Sequence, residues 1–166
     1  MIELIILDVD GTMTDGKITY SNSGEELKSF CVKDGLAIAS WIKLGKKVAI
    51  ITGRESKIVE KRAKELKIDF LYQRVKDKEK KAKEILEQLS LSWDKVAVIG
   101  DDLNDFNMLK RAKLSFMPSD GSHFLTSVVS KKLQRKGGDG AIREMIEYIL
   151  MQDDLLEDFL KIWEAK

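Results

Sequence analysis

Short, nearly continuous apolar segments recur along the chain: Leu4–Leu7, Val48–Ile51, Phe70–Tyr72 and Val96–Ile99. A strand that alternates between polar and apolar residues has one face in water. A continuous apolar strand is instead typical of a parallel sheet that is covered by helices on both faces. The four segments therefore predict buried parallel strands.

Between these strands lie segments with helical periodicity. Apolar residues recur at intervals of three or four in Leu36–Leu44, Ile58–Leu66 and Ala82–Leu89, and a further helix is predicted at Ala141–Leu150. Alternation of strand and helix is the pattern of an α/β protein with a doubly wound, mostly parallel sheet. At 166 residues the chain is long enough for one sizeable core and short for two, so we expect a single domain over residues 1–166.

Two segments depart from this alternation. In residues 17–32 a turn at Ser21–Gly24 separates two β-like arms, which predicts a β-hairpin inserted after the first strand. Residues 152–166 are predicted to form a helical tail with one apolar stripe, made by Leu155, Leu156, Phe159, Leu160 and Trp163. The stripe can pack on its own domain or against another subunit, and the sequence leaves both alternatives open.

Composition and charge argue against several kinds of partner. The 29 basic and 28 acidic residues give a net charge of +1, which offers no electrostatic attraction for nucleic acid or an anionic membrane. No apolar segment reaches the roughly 20 residues needed to cross a bilayer. The first apolar segment has no basic segment before it, as a signal peptide would have. We therefore expect a cytoplasmic protein with a small-molecule partner.

Polar residues follow three predicted strands at the point where each strand ends. Asp8 and Asp10 follow the first strand, Thr52–Arg54 follow the strand that ends at Ile51, and Asp101–Asp102 follow the strand that ends at Ile99. The carboxyl ends of parallel strands meet at one edge of the sheet, where ligands bind in α/β proteins. Four carboxylates at this edge repel one another unless a cation is bound. Their oxygen ligands, together with a phosphate, favour Mg²⁺.

The spacing of the first two aspartates suggests a reaction. Residues two apart on an extended strand project to the same side, so we expect the side chains of Asp8 and Asp10 to enter the same site. Gly11 then allows a sharp turn of the backbone. One carboxylate can attack phosphorus and form an aspartyl-phosphate, and the other can protonate the leaving oxygen and later activate water. A cation for the phosphate is expected from the lysine-rich segment that follows Tyr72. Lys78 is slightly favoured over Lys76 because it lies near a predicted helix start.

These motifs resemble those of the haloacid dehalogenase (HAD) superfamily. DVDGT at 8–12 resembles its first motif, ITG at 51–53 its second and GDDLND at 100–105 its fourth, while a lysine of the third motif is expected at position 78. The resemblance implies a phosphatase with Asp8 as nucleophile and Asp10 as general acid and base. It also implies a set of site residues: catalytic Asp8, Asp10, Thr52 and Lys78; metal ligands Asp8, Asp10 and Asp101; supporting Asp102 and Asp105; and Gly11 and Gly53 at the substrate.

Within the superfamily the chain resembles the 3-deoxy-D-manno-octulosonate 8-phosphate phosphatases. The resemblance rests on DVDGTMTDG, NSGEELKSF, VKDG, IITGR, LYQ, GDDLND and GGDGAIRE, in that order. It implies a HAD core without a large cap, a sugar-acid phosphate substrate of lipopolysaccharide precursor biosynthesis, and a homotetramer in which a neighbouring subunit completes the pocket. Arg54 and Lys33 are then expected to bind the sugar acid, although this family usually carries arginine at position 33.

Three other functions compete with this hypothesis. The same chemistry can act on a nine-carbon sialic-type acid 9-phosphate. A signalling receiver domain also combines aspartates, a threonine, a lysine and Mg²⁺, but there the paired aspartates come early and the phosphorylated one later, which is the reverse of the order found here. A non-catalytic subunit that keeps the fold for assembly is the third alternative, and it does not explain why every expected catalytic residue is present.

Overall fold

The computed structural model describes residues 1–164. Its main sheet consists of strands β1 (Leu4–Leu7), β4 (Lys47–Ile51), β5 (Phe70–Tyr72), β6 (Val96–Ile99), β7 (Leu114–Met117) and β8 (Lys131–Lys132). The six strands are parallel to their neighbours and lie in the order β5-β4-β1-β6-β7-β8. Because β1 is central and the order runs outward on both sides of it, the predicted doubly wound sheet is confirmed.

Helices cover both faces of this sheet: α1 (Val32–Lys43), α2 (Lys57–Leu66), α3 (Lys78–Leu89), α4 (Phe106–Arg111), α5 (Ala141–Gln152) and α6 (Leu156–Glu164). Ile5 and Leu7 of β1 belong to a core shared with α1, α2, α5 and α6. Leu4 and Ile6 belong to a second core shared with α3 and α4. All four residues of β1 are therefore buried, which explains why its sequence is continuously apolar.

The inserted hairpin is present but short. Its arms are β2 (Thr19–Tyr20) and β3 (Glu26–Leu27), which pair antiparallel. The predicted segment 17–32 is longer than the two arms, because the chain leaves the hairpin after β3 and α1 begins at Val32. Tyr20 and Leu27 are 62% and 55% exposed, so the hairpin presents apolar side chains to its surroundings.

Two strands and one helix of the structure are absent from the sequence-based expectation. β7 contains a polar residue, Ser115, so it is not a continuous apolar segment. The Ser115 hydroxyl tolerates burial because it donates to the backbone oxygen of Val128 at 3.1 Å. β8 consists of two lysines and α4 has only six residues, so neither has a recognisable pattern. Among the helices of residues 1–164, none is long and apolar enough to cross a membrane.

The predicted helical tail corresponds to α6. Phe159 is buried in the core beneath α1 and α5, which supports packing on the chain's own domain. Leu156 and Leu160 of the stripe are 42% and 50% exposed, whereas Nζ of Lys43 lies 4.6 Å from the ring centroid of Trp163. The last two residues of the predicted tail, 165 and 166, lie outside the described residues.

Candidate active site

Asp8 stands directly after β1, at the carboxyl edge of the sheet. Its backbone N–H donates to the carbonyl of Ile99 in β6 at 3.2 Å, and its side chain is buried. The extended strand ends here, since Val9–Met13 form one irregular helical turn with non-helical dihedral angles at Asp10 and Gly11. The strand alternation expected to bring Asp8 and Asp10 to the same side therefore does not apply. A turn, and not a strand, positions Asp10.

Lys78 lies at the start of α3 and reaches two carboxylates. Its Nζ donates to Asp8 Oδ1 at 2.5 Å and to Asp105 Oδ1 at 2.6 Å, and the lysine is only 2% exposed. Burial lowers the pKa of Lys78, but the adjacent charges of Asp8 and Asp105 raise it above its usual value, so the lysine carries its charge. Lys76, the other candidate, is exposed. The structure thus brings Lys78, and not Lys76, to the nucleophile candidate.

The loop after β6 supplies the remaining carboxylates. Asp105 is fully buried, and its Oδ2 accepts from the backbone N–H groups of Asp101 at 3.1 Å and Asp102 at 3.4 Å. Asp102 is exposed and its Oδ1 accepts from the N–H of Leu103 at 2.8 Å, so it caps the short helical turn that begins there. Asp105 therefore fixes the loop that carries Asp101.

Three carboxylates of the site can share a metal ion. Oxygen atoms of Asp8, Asp101 and Asp105 lie within 4.8 Å of one another. Burial, followed by the charge of Asp105, raises the pKa of Asp8 well above its usual value against the opposing effect of Lys78. Burial and Asp105 also raise the pKa of Asp101, to about 6. Burial first, and repulsion between the carboxylates second, thus make the ionised forms of Asp8 and Asp101 unfavourable unless a cation compensates them.

Glycines allow this close approach. Gly11 has φ +102°, and a Cβ placed on it would lie 2.5 Å from Cγ of Asp101. A Cβ on Gly137 would lie 2.6 Å from the carbonyl carbon of Gly11, and the N–H of Gly138 donates to the carbonyl of Thr12 at 3.0 Å. The glycine-rich loop before α5 therefore packs directly against the turn that carries Asp10.

Asp10 faces the hairpin and not the three-carboxylate group. Its Oδ1 forms a very short contact with Nζ of Lys28, and its Oδ2 lies 3.8 Å from Nε of Arg54. Arg54 also binds Glu26 Oε1 at 3.1 Å and the hydroxyl of Tyr20 at 3.3 Å. Lys28 was missed by sequence reasoning, because a lysine in a polar hairpin resembles any solvated surface residue.

The second predicted group of residues follows β4. Thr52 is buried, and its backbone is fixed by hydrogen bonds from its own N–H to the carbonyl of Tyr72 at 3.0 Å and from the N–H of Val75 to its carbonyl at 3.1 Å. Gly53 comes next and is exposed. Lys33 lies elsewhere. It lines a separate pocket with polar residues near the start of α5: Gln134, Arg135, Asp139, Arg143, Glu144 and Glu147.

Known proteins resemble the chain over most of its length. A family model of haloacid dehalogenase-like hydrolases matches residues 70–145. A 3-deoxy-D-manno-octulosonate 8-phosphate phosphatase from Yersinia pestis is 44% identical over 156 residues, which cover 94% of this chain and 83% of that protein. The chain belongs to the haloacid dehalogenase-like hydrolases. The phosphatase of the same name from Escherichia coli K12 is 39% identical to this HAD hydrolase. The match covers 95% of this chain and 84% of the Escherichia coli protein.

Solved structures agree with this family assignment. The 3-deoxy-D-manno-octulosonate 8-phosphate phosphatase of Moraxella catarrhalis, in complex with magnesium, phosphate and KDO, is 35% identical to this HAD hydrolase. The match has a TM-score of 0.94 and covers 98% of this chain and 93% of that one. A cobalt-bound phosphatase of Haemophilus influenzae is also 35% identical, with a TM-score of 0.86 and coverages of 90% and 88%. The predicted HAD core without a large cap is thereby confirmed.

Proposed function

We propose that the protein is a Mg²⁺-dependent phosphatase that converts 3-deoxy-D-manno-octulosonate 8-phosphate to 3-deoxy-D-manno-octulosonate and inorganic phosphate, in lipopolysaccharide precursor biosynthesis. The observation that carries the proposal is the buried carboxylate group at Asp8, with Lys78 on Asp8 Oδ1, in a chain that matches phosphatases of this name over 94% of its length. A receiver domain does not account for the match to these phosphatases, and a non-catalytic subunit does not account for the buried carboxylate group with its lysine.

The reaction that we propose has two steps. In the first, a carboxylate oxygen of Asp8 attacks phosphorus, the bond between phosphorus and the sugar oxygen breaks, and Asp10 gives a proton to that oxygen. In the second, Asp10 takes a proton from a water molecule that attacks the aspartyl-phosphate, which releases inorganic phosphate and restores Asp8. Lys78, Thr52 and the backbone of Gly53 are proposed to hold the phosphate during both steps.

Asp8 and Asp101 are proposed to bind Mg²⁺. Both oxygens of Asp105 are engaged, one with Lys78 and the other with backbone N–H groups, so Asp105 supports the site without being needed as a ligand. Clustered carboxylate oxygens suit this ion, which when bound offsets the repulsion between an anionic nucleophile and an anionic phosphate. Asp10 as a ligand stays a prediction. Its Oδ1 is already occupied by Lys28.

Arg54 is proposed to bind the carboxylate or hydroxyl groups of the sugar acid. It is partly exposed, lies beside Asp10, and has a planar guanidinium that suits a carboxylate. Lys33 is kept as a second candidate for the sugar acid, although it lines a pocket different from the one at Asp8.

The hairpin is proposed to assemble a homotetramer in which a neighbouring subunit completes the pocket. Its exposed Tyr20 and Leu27 give an apolar surface of the kind that forms subunit contacts. Light scattering at micromolar concentration tests the assembly, and a monomer would contradict it. A cytoplasmic location is proposed as well, and cell fractionation tests it.

Phosphate release from a panel of sugar and sugar-acid phosphates, with Mg²⁺ or with EDTA, tests the function. We expect strong, metal-dependent release from the octulosonate 8-phosphate. Preferential release from a sialic-type 9-phosphate would keep the chemistry and replace the substrate. Asp8→Asn should abolish turnover while Asp15→Asn, at an exposed neighbouring aspartate, should not. Retention of more than about a few per cent of turnover by Asp8→Asn would contradict the nucleophile.

A further inference from the structure

Lys28 is an unusual residue for a short surface hairpin. Its side chain is 0% exposed, and its Nζ contacts Asp10 Oδ1 directly and lies 3.6 Å from Glu26 Oε1. A buried ammonium group is unfavourable unless it is paired, and here both of its partners are carboxylates. The hairpin therefore directs a buried positive charge to the residue to which proton transfer is assigned.

The two oxygens of Asp10 differ in their surroundings. Oδ1 is in contact with Lys28, whereas Arg54 Nε lies 3.8 Å from Oδ2, which is beyond hydrogen-bond distance. Asp10 also sits in a turn, at φ −78° and ψ 103°, so no strand ladder fixes its orientation. One oxygen is thus anchored, and the other keeps room for a proton-transfer partner.

The charges around Asp10 compensate one another. Lys28 and Arg54 contribute two positive charges, and Asp10 and Glu26 contribute two negative ones. A balanced set adds no net attraction for an anionic substrate, so a contribution to phosphate binding does not explain why Lys28 is buried here. Orientation of the Asp10 carboxylate does explain it.

We propose that Lys28 is a positioning residue for Asp10, which holds Oδ1 of that carboxylate so that Oδ2 faces the leaving oxygen. This inference rests on the proposed phosphatase function and on Asp10 as its acid and base. It assigns to the hairpin a task within its own subunit. Two simpler roles compete with it: Lys28 can fasten the hairpin to the core, or it can contact the substrate itself.

A change of leaving group separates these roles. In the first step a sugar alkoxide needs a proton as it leaves, whereas p-nitrophenolate leaves without one, so only the sugar phosphate needs a well-oriented Asp10 in that step. Both substrates share the second step, so the comparison is made on kcat/KM, which reports formation of the aspartyl-phosphate alone. We expect Lys28→Met to lower kcat/KM about 10- to 100-fold on the sugar phosphate, which is part of the roughly 100- to 10,000-fold contribution of a positioned acid. On p-nitrophenyl phosphate we expect the loss of kcat/KM to stay below about 3-fold. Equal losses of kcat/KM on the two substrates, or a loss that arises from KM alone, would overturn the proposal.

A double variant gives a second, independent test. If Lys28 acts through Asp10, then Lys28→Met should cause little further loss in a protein that already carries Asp10→Asn. Fully additive losses would mean that the two residues act separately. Lys28→Arg keeps a cation at this position and should recover most of the activity. Lys17→Met removes a lysine with an 82% exposed side chain from the same insertion and is the matched control.

The measurements also distinguish failure of this inference from failure of the proposed function. If the wild-type protein cleaves another alkyl phosphate and not the octulosonate 8-phosphate, the substrate assignment fails and the Lys28 comparison is made on the phosphate that is cleaved. If Asp10→Asn leaves the rate on that alkyl phosphate unchanged, Asp10 is not the acid and the role of Lys28 fails with it. Thermal unfolding of each variant identifies a loss that arises from misfolding. In that case Lys28→Arg carries the test, and an inactive but folded Lys28→Arg would contradict the inference.

Discussion

Replacement of Gly11 by alanine tests how the metal site is built. The added Cβ would lie 2.5 Å from Cγ of Asp101, whereas ordinary contact begins near 3.4 Å, so the Asp101 carboxylate must move by about 1 Å. A displacement of this size can lower a rate about 100-fold. The φ of +102° adds a backbone cost of about 1–2 kcal/mol for alanine. We therefore expect loss of Mg²⁺ response and of activity, together with a moderate loss of stability.

Gly45→Ala is the matched control for this change. Gly45 has φ +79°, but no atom lies within 4 Å of its added Cβ, so the variant introduces the backbone cost without the collision. Both variants should lower Tm by about 2–8 °C, since 1 kcal/mol shifts Tm by about 2–4 °C in a protein of this size. The Tm increase caused by Mg²⁺, and kcat, should fall only in Gly11→Ala. An unchanged Mg²⁺ response in Gly11→Ala would refute the reasoning.

Two further predictions concern the buried charges. Lys78→Met leaves the carboxylates of Asp8 and Asp105 unpaired, so the free energy of unfolding at neutral pH should fall by about 3–5 kcal/mol. Lys80→Met, at an exposed position, should change that free energy little. Equal melting curves for the two variants would contradict this prediction. The pKa of Asp101 is raised from 3.8 to about 6, so the native metal-free protein binds more protons than the unfolded chain in this window, and the contribution of Asp101 to stability falls as pH rises through it. Because Mg²⁺ binds the ionised carboxylates, its stabilising effect in thermal unfolding should be larger at about pH 7.5 than at about pH 5, and an effect independent of pH would count against the site.

The strands that position the site are predictable from the sequence because they are buried on both faces. Leu4–Leu7, Phe70–Tyr72 and Val96–Ile99 end in the structure at the residues where their apolar segments end. Asp8 is the first residue after β1 and Asp101 the second residue after β6, so the apolar pattern already places both at the edge of the sheet. Edge strand β8 has no such pattern, because two lysines can pair along a sheet without being buried.

The surroundings of Asp10 were beyond this reasoning, since they depend on contacts between residues far apart in the sequence. An alternation argument requires a strand, and the chain turns after Asp8. Lys28 reaches Asp10 across 18 positions, and nothing in its own segment distinguishes it from a solvated lysine. The turn that redirects Asp10 does have a sequence signal, Gly11. Its consequence for the side chain depends on the hairpin that packs above it.

The charge of the site gives a physical reason for dividing the aspartates into two groups. Asp8, Asp101 and Asp105 bring three negative charges against the single positive charge of Lys78, which leaves two uncompensated charges in a buried space. One divalent cation cancels them, whereas protonation would remove the nucleophile that the proposed reaction needs. The charge of Asp10 is instead compensated by Lys28 of the hairpin and by Arg54, which follows β4. The proposed nucleophile and the proposed proton carrier are therefore paired with cations from different parts of the fold.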